Sequence, residues 1–252
     1  MVTTTLRRAE TVLLRHARDA ARAVLAGSTL RQSHLRRSLV RAVARDRRPL
    51  RVILGGGHGF GGPRGWYPTD VEILDITRPA DWKALFGSRQ IDALLSEHVW
   101  EHLPLESGLE AARLCHSFLR PGGRLRIAVP DGRHPHDAYR EYVRPGDPDG
   151  GAAAHEVLFT VESLVDLLAT VGFAARPLEY WDAEGRFHHE PWSAADGFVG
   201  RRPRFPTDRP CFVRGRAYAA FNAESIRPKR RITSEAWPFN YTSLIVDATK
   251  SA

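Results

Sequence analysis

The chain has 252 residues, 42% of them hydrophobic, and a formal net charge of +8, a length that accommodates one large α/β domain or two small ones. No apolar run approaches the ~20 residues that cross a bilayer, the N-terminus lacks the continuous apolar core of a signal peptide, and two cysteines, Cys115 and Cys211, make no disulfide framework; a reduced, cytoplasmic protein is expected. Residues 1–51 hold 13 Arg against Glu10, Asp19 and Asp46, whereas the rest holds 24 basic and 26 acidic groups, so the basicity belongs to a tail and nucleic acid is disfavoured as the partner of the globular part.

Residues 6–26 place Leu6, Val12, Leu13, Leu14, Ala20, Ala21, Val24 and Leu25 at helical spacing and stop at Gly27. Ser33 to Ala44 reads as a second, basic helix with Leu35, Leu39, Val40 and Val43 on one side. Residues 1–48 are therefore expected to form a helical extension with its arginines in solvent, because the apolar stripes are narrow and Ala-rich. A membrane-surface or nucleic-acid arm is the alternative. The first core strand, Arg51–Leu54, runs into a loop crowded with Gly55, Gly56, Gly57, Gly59, Gly61, Gly62 and Gly65. Glycine permits positive φ and close approach of a ligand to the backbone. In open α/β sheets ligands bind outside the carboxyl ends of the strands. A nucleotide-type cofactor on this loop is the expectation, with a flexible turn as the plain alternative.

Trp66–Pro68 follows, then a strand over Val71–Ile76 flanked by Asp70 and Asp75. Ile91–Ser96 is a third apolar strand. Leu105–Leu119 reads as a helix with Leu105, Leu109, Ala112, Leu114 and Phe118 as core candidates. Arg120-Pro121-Gly122-Gly123 reads as a turn and Arg124–Pro130 as a strand. Residues 131–151 are rich in Pro and Gly and form a candidate lid. Thr160–Thr170 is a helix with Thr160 as its N-cap and Leu164, Leu167 and Leu168 on its apolar face. Ala174–Tyr180 and Ser243–Ala248 are further strands, and 181–236 is irregular. Strands alternating with helices imply an α/β fold with a mainly parallel sheet and helices on its faces.

Gly57-x-Gly59-x-x-Gly62 fits the dinucleotide fingerprint in letters, but the stretch from Pro63 to Thr69 is too short for the helix that fingerprint requires. The order of segments instead resembles the class I S-adenosylmethionine-dependent methyltransferases, in particular a bacterial branch with an abbreviated first helix. The pieces that carry the resemblance are LRVILGGG (50–57), GWYPTD (65–70), ILDI (73–76), IDALLSEHVWEHL (91–103), LRPGGRLRIAVPDG (119–132), HEVLFTVESLVDLLATVGF (155–173) and YTSLIVDA (241–248). The segment EYWDAEGRFH (179–188) is similar to that branch as well. The resemblance implies a Rossmann-like sandwich with a seven-stranded sheet over 49–252 and S-adenosyl-L-methionine as cofactor. It also implies methylation of a small or medium acceptor at oxygen or nitrogen, as in bacterial secondary-metabolite or surface-sugar pathways. The chain departs from the branch at Gly56, where Cys or Ser is usual, and in its longer glycine loop.

On this reading Gly55, Gly56 and Gly57 approach the methionine end of the cofactor and Asp70 accepts both ribose hydroxyls. Asp75 and Ile76 border the adenine, and Ser96, Glu97 and His98 end the strand nearest the sulfonium. A methyl transfer needs alignment and, for a hydroxyl or amine, a proton acceptor. His98 is the first candidate base, having an ordinary pKa near neutrality, with Glu97, Asp131 and His155 as further catalytic candidates. Tyr139, Tyr142, Tyr180 and Trp181 read as substrate walls or as ordinary aromatic core. Arg201, Arg202 and Arg204 read as a carboxylate or phosphate clamp, or as a solvated basic loop. His98-Val-Trp-Glu101-His102 also spells H-x-x-E-H, an inverted zinc-protease signature. It begins on an apolar strand and meets Pro104, so no zinc-binding helix, and no metal, is expected. Three other readings remain open: a cofactor-cleaving enzyme that cyclises the methionine moiety, an RNA methyltransferase using the basic arm, and a non-catalytic binding scaffold. The oligomeric state, homodimer included, does not follow from the sequence.

Overall fold

A computed structural model describes residues 29–46, 48–56, 65–135, 137–146, 155–193, 197, 199 and 243–251. The chain divides into two units, Met1–Asp46 and Arg47–Ala252. In the first, helix α1 spans Thr29–Arg45, covering the expected Ser33–Ala44. The expected helix over 6–26, the glycines from Gly57 to Gly62 and the arginines at 201, 202 and 204 lie outside the described residues.

In the second unit, β1 (Arg51–Leu54) is a short apolar strand with Val52, Ile53 and Leu54 all buried, as expected of a strand covered on both faces. β2 (Trp66–Pro68), β3 (Ile91–Glu97), β4 (Leu119–Pro130), β5 (Phe173–Trp181), β6 (Phe187–His189) and β7 (Ser243–Lys250) complete the sheet. The order is β2-β1-β3-β4-β7-β5-β6. β1 pairs in parallel with β2 and β3, and β3 with β4; β7 runs antiparallel to β4 and β5, and β6 antiparallel to β5. Most strands thus point one way, and the fold is the expected Rossmann-like α/β sheet. From β1 the chain steps outward to β2, then crosses to β3 on the other side of β1. The carboxyl ends of β1 and β3 therefore form a topological switch point, where open α/β sheets leave a crevice for ligands.

Helices α2 (Pro79–Phe86), α3 (Leu105–Phe118), α4 (Asp137–Val143) and α5 (Val161–Thr170) connect the strands. α2 was not anticipated: it has only eight residues, started by Pro79 at N1. It is held by Trp82, Leu85 and Phe86, and its Trp82 and Phe86 rings meet Phe118 of α3 at 5.2 and 6.2 Å. α3 turns Gly108, Ala111, Ala112, Leu114 and Cys115 inward. Leu105, expected in the core, is 57% exposed at the first position of the helix, and the buried Trp100 indole packs on the inner face instead, donating to the Gly108 carbonyl at 3.2 Å. α5 keeps the expected face and cap. The Thr160 hydroxyl accepts from Ser163 N–H, and the Ser163 hydroxyl accepts from Thr160 N–H, a reciprocal capping box.

Three other expectations are corrected. Val71–Ile76 is not a strand. The Asp70 carbonyl accepts from the N–H groups of Ile73 and Leu74, both at 2.8 Å. The carboxylates of Asp70 and Asp75 take the N–H groups of Val71 and Thr77. Such local acceptors compete successfully with a ladder. The Arg120–Gly123 turn lies inside β4, which pairs Leu119 with Ile91, bulges, and re-enters the register at Arg124 opposite Ala93. Gly123 is required there, since a Cβ would lie 2.8 Å from the Arg120 carbonyl oxygen. Finally, the loop after β4 contains α4, with Asp137 in its first turn paired to Arg140.

The sheet also buries a charge pair. Arg126 of β4 stands opposite Asp247 of β7, with Nε and Nη2 donating to the two carboxylate oxygens at 2.6 and 2.8 Å. Nη1 donates to the carbonyls of Ser193 and Gly197. The guanidinium lies 4.7 Å over the Trp192 ring, whose indole N–H donates to Glu179 at 2.8 Å.

Candidate functional site at the carboxyl edge

The loop leaving β1 is shaped by two constraints. Gly55 has φ +67°, and a Cβ there would stand 2.3 Å from Val99 Cγ2. The β1 and β3 exits therefore meet at the switch point, with room for glycine only. Gly56 N–H donates to the Thr69 carbonyl at 2.7 Å, and Thr69 N–H donates back to Ile53 at 2.8 Å. The Thr69 hydroxyl also donates to Ile53. These bonds tie the β1 and β2 exits together and place Asp70, half-buried, at the same edge. Asp75 lies further along the link; its carboxylate accepts from Thr77 and pairs with Arg78. The Ile76 carbonyl accepts from the Trp82 indole at 3.1 Å. Both residues thus shape the approach to α2.

β3 ends at Ser96, Glu97 and His98. The Ser96 hydroxyl is buried and has no hydrogen-bond partner among the described residues. Glu97 is the last strand residue, half-buried and opposite Ala128. His98 turns the chain with φ +56°, and its N–H donates to the Ala128 carbonyl at 2.8 Å. A short 3-10 turn, Trp100–His102, follows, in place of a helix through both histidines. It brings Glu101 back under His98, whose Nδ1 donates to Glu101 Oε1 at 2.8 Å. Donation through Nδ1 leaves Nε2 as the basic nitrogen of a neutral ring. Glu101 is 1% exposed. In the sequence it stands only as a letter of H-x-x-E-H, and its i+3 spacing from His98 is the one local signal of the pair.

Asp131 is buried at the end of β4. Oδ1 accepts from Arg133 N–H and Oδ2 from Trp181 N–H, each at 2.8 Å, so the carboxylate joins the β4 and β5 exits. Burial pushes its pKa up to about 6 against the lowering effect of those two N–H donors. A carboxyl whose folded pKa is raised favours the protonated fold: its stabilisation is complete below about pH 4 and is lost as pH rises through about 6. Urea unfolding of wild type and Asp131→Asn should show the wild type losing about 2–3 kcal/mol relative to the variant between pH 4 and 7. A constant difference between the two proteins would contradict this.

His155 does not head α5. It stands in the extended segment before the Thr160 cap, with Nδ1 donating to the Val143 carbonyl at 3.0 Å. Burial holds its imidazole below the ordinary range, and its ring meets that of His102 edge-on at 4.8 Å. Tyr139 and Trp181 are buried; the Tyr139 ring stacks on His134 at 4.1 Å. Tyr180 stacks on His188 at 4.8 Å. His188 and Arg186 close on Asp182 across the β5–β6 hairpin, and the His188 bond holds the Asp182 carboxyl well below the usual range. EYWDAEGRFH is thus a self-bonded hairpin.

No protein-family model matches the chain, and no curated protein matches it. Among solved structures it is similar to a SAM-dependent methyltransferase, possible histamine N-methyltransferase, from Thermotoga maritima. The two are 14% identical over 94% of this chain and 97% of that one, with a TM-score of 0.44. A SAM-dependent methyltransferase from Archaeoglobus fulgidus is 16% identical over 90% and 97%, TM-score 0.43. Magnesium protoporphyrin IX methyltransferase from Synechocystis is 13% identical over 88% and 84%, TM-score 0.40. At these values the similarities assign no residue a role. No helix among the described residues is long and apolar enough to cross a membrane.

Proposed function

We propose that the chain is an S-adenosyl-L-methionine-dependent methyltransferase acting on a hydroxyl or amine of a small or medium organic acceptor of the natural-product or sugar kind. The observation that carries the reading is the switch point itself. The glycine turn after β1, Asp70 after β2 and the His98–Glu101 pair after β3 stand on one sheet edge. The residues fit such a cofactor. The turn at Gly55 has a conformation that side chains resist, Asp70 offers a half-buried carboxylate for ribose hydroxyls, and Ser96 supplies a buried hydroxyl with no hydrogen-bond partner among the described residues. When bound, the cofactor supplies an electrophilic methyl group on a sulfonium.

The protein's own task is to orient an acceptor and take its proton. His98 Nε2 takes that proton, while Glu101 holds the ring in the Nδ1–H tautomer and stabilises the imidazolium that forms. Asp70 holds the ribose, Gly55 to Gly57 admit the methionine end, and Asp75 and Ile76 border the adenine. Glu97 stands beside the base. Asp131 and His155 act on the site by fixing the β4 exit and the segment before α5.

Calorimetric titration with S-adenosylmethionine and S-adenosylhomocysteine tests the reading. Micromolar binding is expected, weakened about 100-fold in Asp70→Ala through loss of two charge-assisted hydrogen bonds. Absence of binding by folded protein would overturn the cofactor, and methylthioadenosine as product would replace methyl transfer with cleavage of the cofactor.

A further inference from the structure

We propose that Glu101, His102 and His155 form a three-ligand site for a divalent transition-metal ion of the zinc type. One ligand atom from each lies within 4.8 Å of the other two. Two imidazoles and a carboxylate are a donor set that suits zinc. Atoms at such separations lie at most about 2.8 Å from a common centre, against the ~2.0–2.1 Å of zinc ligation, so the set needs to contract by less than about 1 Å per ligand.

Two further observations point to a ligand. Glu101 is 1% exposed, and its Oε2 is buried with no hydrogen-bond partner among the described residues. A buried carboxylate oxygen left in that state is costly, and a cation relieves the cost. His155 donates its Nδ1–H to the Val143 carbonyl, which leaves the lone pair on Nε2. That outer hydrogen bond is the one a metal-binding imidazole characteristically makes. On the carboxylate, His98 holds Oε1 in the same supporting manner.

The backbone prearranges the set. The N–H groups of Glu156 and Val157 both donate to the Glu101 carbonyl, at 2.7 and 3.2 Å. The segment carrying His155 is thereby lashed to the turn carrying Glu101 and His102. Three protein ligands leave a fourth position of a tetrahedral ion for water or a substrate atom. The site depends on neither the cofactor nor the methyl acceptor, and its carboxylate also holds the His98 ring.

The test is chelator-competition titration of the full chain with Zn²⁺, supported by Co²⁺ substitution. One equivalent bound below micromolar Kd is expected, with the visible bands of four-coordinate Co²⁺. Because His102 is exposed, His102→Ala should keep the fold, verified by circular dichroism, and weaken binding by on the order of 100-fold. His155→Gln should do the same. His188→Ala, a histidine of the β5–β6 hairpin, should leave affinity unchanged. No binding, or binding that survives in both His102→Ala and His155→Gln, would overturn the assignment.

Discussion

Replacing His98 by asparagine should lower turnover by about 10²- to 10⁴-fold, the range associated with losing a positioned general base. The variant is chosen for the backbone. Residue 98 has φ +56°, a conformation asparagine tolerates better than most residues. An asparagine amide can also still donate toward Glu101, so the turn is kept while the basic nitrogen is removed. S-adenosylhomocysteine release over a panel of hydroxyl and amine acceptors gives the rate, and calorimetry gives the affinity for S-adenosylmethionine. Loss of turnover with cofactor affinity held within a few fold identifies the base. A variant that turns over at the wild-type rate would remove His98 from the chemistry, and one that loses affinity in parallel would make it a cofactor contact instead.

Asp247→Ala should destabilise the second unit by about 3–5 kcal/mol, the usual cost of stranding a buried charge. Arg126 is 1% exposed and Asp247 3%. Among the described residues the guanidinium would retain the carbonyls of Ser193 and Gly197 and the Trp192 face, while Arg124, 3.6 Å from the same carboxylate, would lose that ion pair as well. Against a total stability of about 5–15 kcal/mol for a domain, that loss is large. The double variant Arg126→Leu/Asp247→Leu should recover more than half of it, since apolar replacements of a buried pair avoid the desolvation cost. Urea unfolding of the three proteins measures both numbers. A single variant that costs under 1 kcal/mol would show that the pair is solvated in practice.

The pair illustrates a limit of reading the chain. Arg126 stands in RLRIAVP and Asp247 in SLIVDA, 121 residues apart. Each sequence segment is apolar enough to read as a buried strand, and Arg126 in one and Asp247 in the other read as interruptions. Only the antiparallel register of β4 and β7 shows that the two interruptions answer each other. Asp70 and Asp75 misled in the opposite way. As flanks of the expected Val71–Ile76 strand they read as its bounds, whereas their carboxylates and the Asp70 carbonyl make the local turns that prevent one. The bulge at Arg120–Gly123 was legible as a turn, yet the strand continues through it, since Leu119 and Arg124 both find partners on β3.

By itself the sequence determined the alternation of strands and helices, the buried central strands, the α5 cap and the glycine turn after β1. Each of these rests on local periodicity or on a backbone conformation that few residues adopt. The tertiary structure decided what periodicity cannot carry. It set the crossing from β2 to β3 that makes the switch point, and the direction of β6 and β7. It also decided which histidines face which carboxylate. His98, Glu101, His102 and His155 come together because a 3-10 turn, an αL residue and two hydrogen bonds from a distant segment act jointly. The physical reason is that side-chain chemistry depends on neighbours, and the decisive neighbours here are set by long-range hydrogen bonds and strand pairings that spacing along the chain does not encode.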